Sequence, residues 1–319
     1  MSIDRSVAVG VEIAGSRATV ALIDRHGRIL HRCQVKTLWG RPASATLEPY
    51  FRAVDLMLVH AHTECLQMCG VGVSVPGALD STSRRPLSIP TLPSLNGVPL
   101  CDLLEARYGL PTLLHVDVDA AVLGEHRFGA GQGFSRLLLL TVNAVVGASL
   151  VVDGQVERSE LHGIGHVCHL PVSTSGPRCG CGKRGCINTL ISNDAMQKMV
   201  QRALRRGEES SLTQRILNRE YFSPQLLAEE ARRGDNVALQ VYSEVGRWLG
   251  AAISKYLDLF EPDALILGGG TLHANELLLT QIRNAVVPPP SSRVSTLVEL
   301  LSASLGNDAI VVGTVVSLF

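Results

Sequence analysis

The amino-acid sequence predicts a duplicated α/β domain. Each half opens with short alternating strands joined by tight turns, continues with alternating helices and strands, and repeats the order of the other half. The chain has 319 residues, of which 46% are apolar and 18% are charged. At roughly 150 residues per domain, this length suits two domains. We therefore expect two α/β lobes with a cleft between them.

In the first half, alternation predicts strands joined by the turns at residues 14–16 and 25–27. Apolar residues at helical spacing then predict a helix, and a buried strand ending at Pro76-Gly77 follows. Asp119 is a candidate N-cap for the helix after the last of these strands. The predicted strands are residues 7–13, 17–24, 28–35, 70–75 and 113–118, and the predicted helices are 44–68, 100–108 and 120–128.

The second half repeats this order, with Asp153-Gly154 as a hairpin turn. Predicted strands are residues 136–142, 148–152, 155–157, 264–267 and 296–301, and predicted helices are 194–206, 224–232, 236–260, 275–286 and 309–318. The expected organisation is an N-terminal lobe of residues 1–118 and a C-terminal lobe of residues 119–304 with a metal-binding insertion. Residues 305–319 form a closing helix that returns to the first lobe.

Net charge argues against a nucleic-acid partner, and the length of the apolar runs argues against a membrane span. Lys+Arg and Asp+Glu both total 29, so the formal net charge is zero, whereas nucleic-acid binders usually have a basic surplus. The apolar runs are far shorter than the roughly 20 residues that span a bilayer. The N-terminus lacks the pattern of a signal peptide. We expect a cytoplasmic protein that binds neither membranes nor nucleic acid directly.

Half of the eight cysteines lie close together in the sequence. Cys179, Cys181 and Cys186 follow His166, and interspersed glycines permit a tight fold around one ion. Three thiolates and one imidazole suit tetrahedral zinc, and four protein ligands make such a site structural. His162, Cys168 and His169 are rival ligands, so the histidine is less certain than the thiols.

Asp117 is predicted where a strand ends and a helix begins, a position that directs side chains into ligand sites of α/β folds. A carboxylate there is suited to act as a general base toward a hydroxyl group. The alternative is a capping acid, a role that Asp119 fits better. Position alone leaves both interpretations of Asp117 open.

Three turns are candidates for nucleotide binding. The first contains Glu12, Gly15 and Ser16, and the second contains Gly147; backbone N–H groups in such turns bind oxyanions. The third, Gly268–Gly270, lies between a strand and a helix, and its glycines would let adenine lie against the backbone.

Together these segments resemble the ROK family of sugar kinases and repressors. The resemblance rests on Pro76-Gly77, residues 110–125, Gly165-His166, the 179–186 cysteine cluster and residues 267–270. It implies an actin-like ATPase fold of the ribonuclease H-like, hexokinase type. It also implies transfer of the γ-phosphoryl group of ATP, with Mg, to a hexose or amino-sugar hydroxyl, and assembly as a homodimer or homotetramer.

The resemblance also implies roles for individual residues. Asp117 matches the catalytic base, and Glu12, Gly15, Ser16, Gly147 and Gly268–Gly270 match the nucleotide side. The implied sugar-binding residues are Pro76, Gly77, Thr91, Asp117, His166 and Asn188.

Several family positions are changed. This chain has Val116 and Thr91 where the family has asparagine. It has His162 and Asn188 where the family has glutamate, and Glu12 where the family's phosphate turn has aspartate. A further phosphate turn has Ala144-Val145 where the family has threonine and glycine. Losing two charged hydrogen-bond partners removes about 3–6 kcal/mol of sugar affinity.

These departures favour a divergent ROK protein with weak or absent phosphotransfer, acting as a sugar- or nucleotide-binding or regulatory module. One alternative is an active, glucokinase-like kinase in which His162 or Asn188 replaces the lost carboxylates. The other is a transcriptional regulator acting with a DNA-binding partner, because the first strand begins at about Val7 and leaves no room for a helix-turn-helix.

Overall fold

The computed structural model describes residues 5–143, 145–157, 164–217, 220–272, 276–286 and 298–319, with the backbone alone for residues 164–166. Within that part of the chain, no helix combines the length and the hydropathy needed to cross a bilayer.

Two five-stranded sheets have the same strand order, as the duplication predicts. The first sheet is ordered β3-β2-β1-β4-β7 and the second β10-β9-β8-β11-β12. In the first, β1 pairs antiparallel with β2 and parallel with β4. The strands are β1 Ser6–Ile13, β2 Arg17–Asp24, β3 Ile29–Lys36, β4 Gln67–Val75, β5 Ala78–Leu79, β6 Pro86–Ser88, β7 Thr112–Val116, β8 Arg136–Val142, β9 Val146–Val152, β10 Gln155–Val156, β11 Ala264–Gly268 and β12 Glu299–Ser302.

The helices are α1 Ala43–Thr63, α2 Leu100–Tyr108, α3 Asp117–Phe128, α4 Asn188–Ile191, α5 Asn193–Arg205, α6 Ser211–Leu217, α7 Pro224–Arg232, α8 Asn236–Phe260, α9 Glu276–Ala285 and α10 Ala309–Gly313. Most of the helices overlap predicted ones, whereas α4 and α6, two of the five described helices between β10 and β11, were not predicted. Short 3₁₀ helices occupy Pro93–Leu95, Ile164–His169, Gly306–Asp308 and Val316–Leu318.

The chain forms two compact units. Unit 1 comprises Met1–Gly133, Val151–Val156 and Asn307–Phe319, and unit 2 comprises Phe134–Leu150 and Glu157–Gly306. The domain boundary predicted at residue 118 lies at the start of α3, and α3 packs within unit 1. The C-terminal segment also belongs to unit 1.

The first sheet is covered on both faces. Alternate residues of β1 and β2, such as Val9 and Leu22, pack with Val54 and Met57 of α1 in one core cluster. The intervening residues, such as Ala8, pack on the opposite face with Val311, Val312 and Val315 from the C-terminal segment. Because both faces are apolar, alternation in these strands is partly obscured, although their short turns still mark their ends.

Glycines bring α3 and α10 into backbone contact. A Cβ atom at Gly313 would lie 1.7 Å from the carbonyl oxygen of Ala120, and one at Gly124 would lie 2.4 Å from that of Ala309. A Cβ at Gly72 of β4 would lie 2.1 Å from the carbonyl oxygen of Thr314. Only residues without a side chain fit these three positions, so α10 is closely seated on both α3 and the sheet.

Several predicted element ends were wrong. Asp119 does not cap α3, because Val116 is the N-cap residue in extended conformation and the helix already begins at Asp117. Helix α1 ends at Thr63, before the left-handed Cys65 (φ 54°), and β4 begins at Gln67. The predicted closing helix is α10 followed by a separate 3₁₀ turn.

Replacing Gly313 by alanine should destabilise unit 1 severely. The new methyl group meets a backbone carbonyl, which cannot rotate away, so we expect a loss of about 3 kcal/mol or more in unfolding free energy. The control is Gly97→Ala, where a Cβ meets nothing within 4 Å and only the positive φ of 74° is unfavourable. Denaturant unfolding should show a cost of about 1 kcal/mol for the control. Equal losses in both variants would contradict the packing argument.

Candidate functional site

The carboxyl ends of the parallel strands bring several predicted residues of unit 1 together. Glu12 of β1 lies in register with Ser74 of β4, and Val75 of β4 with Val116 of β7. Pro76 and Asp117 directly follow that last pair, so they leave adjacent strands at the same edge. Glu12 and Asp117 are close enough that the charge of Asp117 raises the pKa of Glu12.

The turn between β1 and β2 is held by backbone hydrogen bonds and by a buried side-chain pair next to it. The Ala14 N–H donates to the Arg17 carbonyl at 3.0 Å, which closes the turn. The Thr37 N–H donates to the Ser16 carbonyl at 3.1 Å. The buried Tyr50 hydroxyl donates to the Thr37 hydroxyl at 3.1 Å. The predicted Gly15-Ser16 turn is therefore held in one conformation by the core of unit 1.

Predicted sugar-binding residues lie beside this turn. A Cβ at Gly15 would lie 3.7 Å from the Thr91 methyl group and 3.8 Å from the Trp39 ring. Gly77 has a φ of +115°, and a Cβ there would lie 1.9 Å from the Ser88 carbonyl oxygen, so glycine is required. This contact holds Pro76-Gly77 against the segment that leads through Pro90 to Thr91.

Burial alters the acidity of both carboxyl groups at this edge. It raises the pKa of Asp117 to about 6, with a further increase from the charge of Asp119, while the Val118 N–H opposes the shift. Burial, followed by the charge of Asp117, raises the pKa of Glu12 to about 7, and Arg32 opposes this shift. A carboxylate with a pKa near neutrality is a stronger base than an ordinary one and is suited to proton transfer.

Two buried hydroxyl groups lie at this site, and only one of them belongs to a residue predicted to bind a ligand. The Ser74 and Thr91 hydroxyl oxygens are buried, and among the described residues neither has a hydrogen-bond partner. A buried hydroxyl group without a partner is energetically costly unless a ligand or water satisfies it. Thr91 came from the family resemblance; for Ser74, the sequence offered only a polar residue in an otherwise apolar strand.

In unit 2, asparagine side chains link the predicted nucleotide turns. The Gly270 N–H donates to the Asn143 side-chain oxygen at 2.7 Å, which joins the segment after β8 to the glycine turn after β11. The Val146 N–H donates to the Asn188 side-chain oxygen at 3.1 Å. Gly147 lies within β9 rather than in the turn, and its carbonyl oxygen accepts a bond from the Thr141 hydroxyl at 3.4 Å.

The glycines after β11 have different reasons for being glycine. Gly269 has a φ of +93°, and a Cβ there would lie 2.5 Å from the Val142 carbonyl oxygen. Its small size is therefore required by the neighbouring strand. Gly270 is exposed, and the nearest atom to a Cβ there is the Asn143 oxygen at 3.6 Å. Gly270 leaves backbone accessible to a flat ligand.

The cysteine cluster closes around a common point. The side chains of His169, Cys179, Cys181 and Cys186 place their donor atoms within 4.8 Å of one another. The Cys179 sulfur is 3.3 Å from His169 Nδ1, and the Cys181 and Cys186 sulfurs are 3.6 Å apart. Donor atoms at the corners of a zinc tetrahedron are separated by about 3.5–3.8 Å, given zinc–ligand bonds of 2.0–2.3 Å. The donor set and its size fit zinc.

The backbone around the cluster is fixed from several sides. Gly185 has a φ of +64°, and a Cβ there would lie 1.8 Å from the Ser173 carbonyl oxygen. The Cys179 N–H donates to the Lys183 carbonyl at 2.8 Å. From α8, the Tyr256 hydroxyl donates to the Val167 carbonyl at 3.0 Å. The predicted thiols are thus held in one rigid loop.

The sequence allowed more than one histidine as the fourth ligand of this cluster. His169, a rival candidate, lies in the cluster. The side chain of His166 and the whole of His162 lie outside the described residues. Cys168 is buried nearby, but it is not one of the four residues whose donor atoms converge.

Replacing Glu12 by glutamine should change how stability depends on pH. The folded-state pKa of about 7 lies above the ordinary value of 4.5, so folding disfavours the charged carboxylate. This penalty is absent below pH 4.5 and grows as the pH rises to about 7. Because Glu12 is only partly buried, we expect Glu12→Gln to be more stable than wild type at pH 8 by about 1–2 kcal/mol.

Chemical denaturation at pH 4 and pH 8 measures this difference. The control is Glu209→Gln, at an exposed carboxylate. Identical pH dependence of stability in the two variants would show that burial does not destabilise the charged Glu12 carboxylate.

Comparison with known proteins shows which family the chain matches. The ROK family model matches residues 8–318. A glucokinase of Thermotoga maritima is 29% identical over 306 residues, which are 96% of this chain and 95% of that protein. The N-acetylglucosamine repressor of Escherichia coli is 25% identical over 88% of this chain and 67% of the repressor.

A solved structure agrees with these sequence matches. The ROK family glucokinase from Streptomyces griseus, in complex with glucose and AMPPNP, superimposes with a TM-score of 0.77 at 29% identity. The match covers 97% of each chain. The expected actin-like ATPase fold is thereby confirmed, and the chain belongs to the ROK family.

Proposed function

We propose that this protein is an ATP-dependent sugar kinase that acts on a hydroxyl group of a hexose or amino sugar. The observation that best supports this function is the carboxyl group of Asp117, at the strand edge of unit 1, whose pKa is raised to about 6. At neutral pH most of this group is ionised, and it is more basic than an ordinary aspartate. It is thus suited to accept the proton that a sugar hydroxyl loses as it attacks the γ-phosphoryl group.

Most of the residues proposed to bind the sugar belong to unit 1. Thr91 lies beside the Gly15 turn, and Gly77 contacts the segment that leads to Thr91. The Thr91 hydroxyl, which has no hydrogen-bond partner among the described residues, would gain one from a sugar hydroxyl. Asn188 of unit 2 already uses its side-chain oxygen to accept the Val146 N–H, so it would offer chiefly N–H donors where the family has a carboxylate. His166 stays a prediction.

Each unit carries a turn that is proposed to bind nucleotide. In unit 2, the exposed Gly270, with Gly269 and the buried Gly268 at the end of β11, is proposed as an adenosine-binding turn. In unit 1, the Gly15-Ser16 turn is proposed to bind phosphate. The carboxylate of Glu12 is the kind of oxygen donor that Mg²⁺ prefers. When bound, the magnesium ion would neutralise phosphate charge. Glu12 must lose its proton to coordinate the ion or to accept a hydrogen bond from water bound to the ion. Its pKa of about 7 makes this step pH-dependent near neutrality.

A binding or regulatory module without turnover is the second candidate. Two features favour it: Glu12 is longer than the family aspartate, and Val145 exposes 56% of its surface where the family has glycine. The relatives favour a kinase instead, because the proteins that match over nearly their whole length are glucokinases. Inactivity, which the sequence departures favoured, has no support from these relatives. Self-association and the absence of direct nucleic-acid binding stay predictions.

Purified protein should phosphorylate at least one hexose or amino sugar in the presence of ATP and Mg²⁺. In a coupled assay over a sugar panel, Asp117→Asn should lower kcat by about 10²–10⁴-fold, because the amide cannot accept the proton. The wild-type rate should rise with pH between about pH 6 and pH 7, as Asp117 and Glu12 lose their protons.

The matched control is Asp119→Asn, which alters a carboxylate in the same first turn of α3 and should keep most of the activity. No sugar-dependent turnover over the whole panel would favour the binding module. Equal losses at residues 117 and 119 would remove Asp117 from the role of base.

We also propose that the cysteine cluster holds one structural zinc ion. Cys179, Cys181 and Cys186 would supply thiolates, and His169 or His166 the fourth ligand. With four protein ligands a zinc site has no open position, so the ion would stabilise the fold of the loop rather than take part in chemistry.

Elemental analysis should find about one structural zinc per chain after extensive dialysis. Cys186→Ser should lower the content below about half an equivalent because it removes one of four ligands. Comparing His169→Ala with His166→Ala identifies the imidazole ligand, since only loss of the true ligand lowers retention. Cys101→Ser, at a buried cysteine of unit 1, is the control. A wild-type content below half an equivalent would contradict the proposal.

A further inference from the structure

A second group of metal-ligating side chains lies in unit 1, at the edge of the first sheet. His31 is on β3, the edge strand, and lies in register with Leu22 of β2. Leu22 belongs to the core cluster beneath α1. His31 therefore faces α1, where His60 in the last turn and Glu64 at the C-cap approach it.

The three side chains converge although they are distant in sequence. His31 Nε2 contacts the Glu64 carboxylate, 33 positions along the chain. The rings of His31 and His60 are stacked, with centroids 3.9 Å apart and planes inclined by 8°. One donor atom from each of the three residues lies within 4.8 Å of the others.

This donor set matches a known preference of zinc-class ions. Two imidazoles and one carboxylate bind Zn²⁺ in proteins, with the remaining position left to water. We propose that His31, His60 and Glu64 form an exchangeable binding site for a divalent ion of the Zn²⁺ class. This inference does not depend on the proposed kinase activity.

Access and electrostatics both suit a cation at this place. The side chains of His31 and Glu64 are 31% and 43% exposed, so a hydrated ion can reach them from solvent. The C-terminal end of α1 presents carbonyl groups, whose partial negative charge attracts cations. The carboxylate of Glu64 adds a full negative charge.

Binding requires a small rearrangement of the rings. The nitrogen lone pairs of an imidazole lie in the plane of its ring, so two parallel stacked rings cannot both direct a lone pair at one ion. At least one ring must rotate out of the stack. The partial exposure of these side chains permits this rotation without disturbing the core.

The ion would link two elements more firmly than the contact between His31 and Glu64 does. His31 is on the edge strand, while His60 and Glu64 are at the end of the helix that covers it. An ion held by both should raise the thermal stability of unit 1. Unlike the thiolate cluster, this site is open to solvent and has no sulfur ligands, so it should exchange its ion readily.

The test uses untagged protein whose cysteine cluster has been loaded with zinc and dialysed. Calorimetric titration with Zn²⁺ should reveal one additional equivalent. His60→Ala and Glu64→Gln should each weaken this binding by at least about 10-fold, the loss found even for partners outside the first coordination sphere. Zinc at a concentration that just saturates wild type should raise the midpoint of thermal unfolding by about 5 °C in wild type and by no more than about half as much in either variant.

Controls separate the site from incidental zinc binding. His62→Ala alters another histidine at the end of the same helix, and Cys65→Ser removes the exposed thiol next to Glu64. Both should keep the additional equivalent. Far-UV circular dichroism checks that each variant is folded. Absence of the additional equivalent in wild type, or equal weakening by His62→Ala and His60→Ala, would overturn the proposal.

Discussion

The position of Asp117 depends on a backbone contact between α3 and the C-terminal segment. Gly124 and Gly313 allow α3 and α10 to meet without side chains between them, and Gly72 allows the same segment to approach β4. Helix α3 begins at Asp117, immediately after β7. The rotation and depth of α3 are therefore fixed by groups far from the carboxyl group itself. Close packing of this kind leaves little freedom for the Asp117 backbone to move.

The same packing explains the electrostatics of the edge where β1, β4 and β7 end. Two acids, Glu12 and Asp117, are brought close together and partly removed from water, and both pKa values rise. An aspartate at position 12 would be shorter by one methylene and would lie farther from its neighbours. The glutamate in this chain thus changes both the reach and the protonation of the carboxyl group, so the two properties vary together at this position.

Local patterns in the sequence predicted the duplicated sheets, because strand alternation and short turns are encoded within a few residues of each other. Cysteine spacing likewise predicted that Cys179, Cys181 and Cys186 lie together, but it could not choose among the nearby histidines. The prediction that Asp119 caps α3 was wrong because the helix already begins at Asp117. Contacts between distant elements, such as His31 with Glu64 or the Gly269 backbone with Val142, are set by tertiary packing, and no local pattern reveals them.

The bond between Asn188 and Val146 has a consequence for interpreting mutations in the cysteine cluster. Asn188 follows Cys186 by two residues and opens α4, and its side chain holds the first N–H of β9. A disturbance of the loop at Cys186 therefore reaches β9 over two residues of chain and one hydrogen bond. Slower turnover in such a variant would report displaced architecture and would not identify a cysteine as a group that touches the reactants.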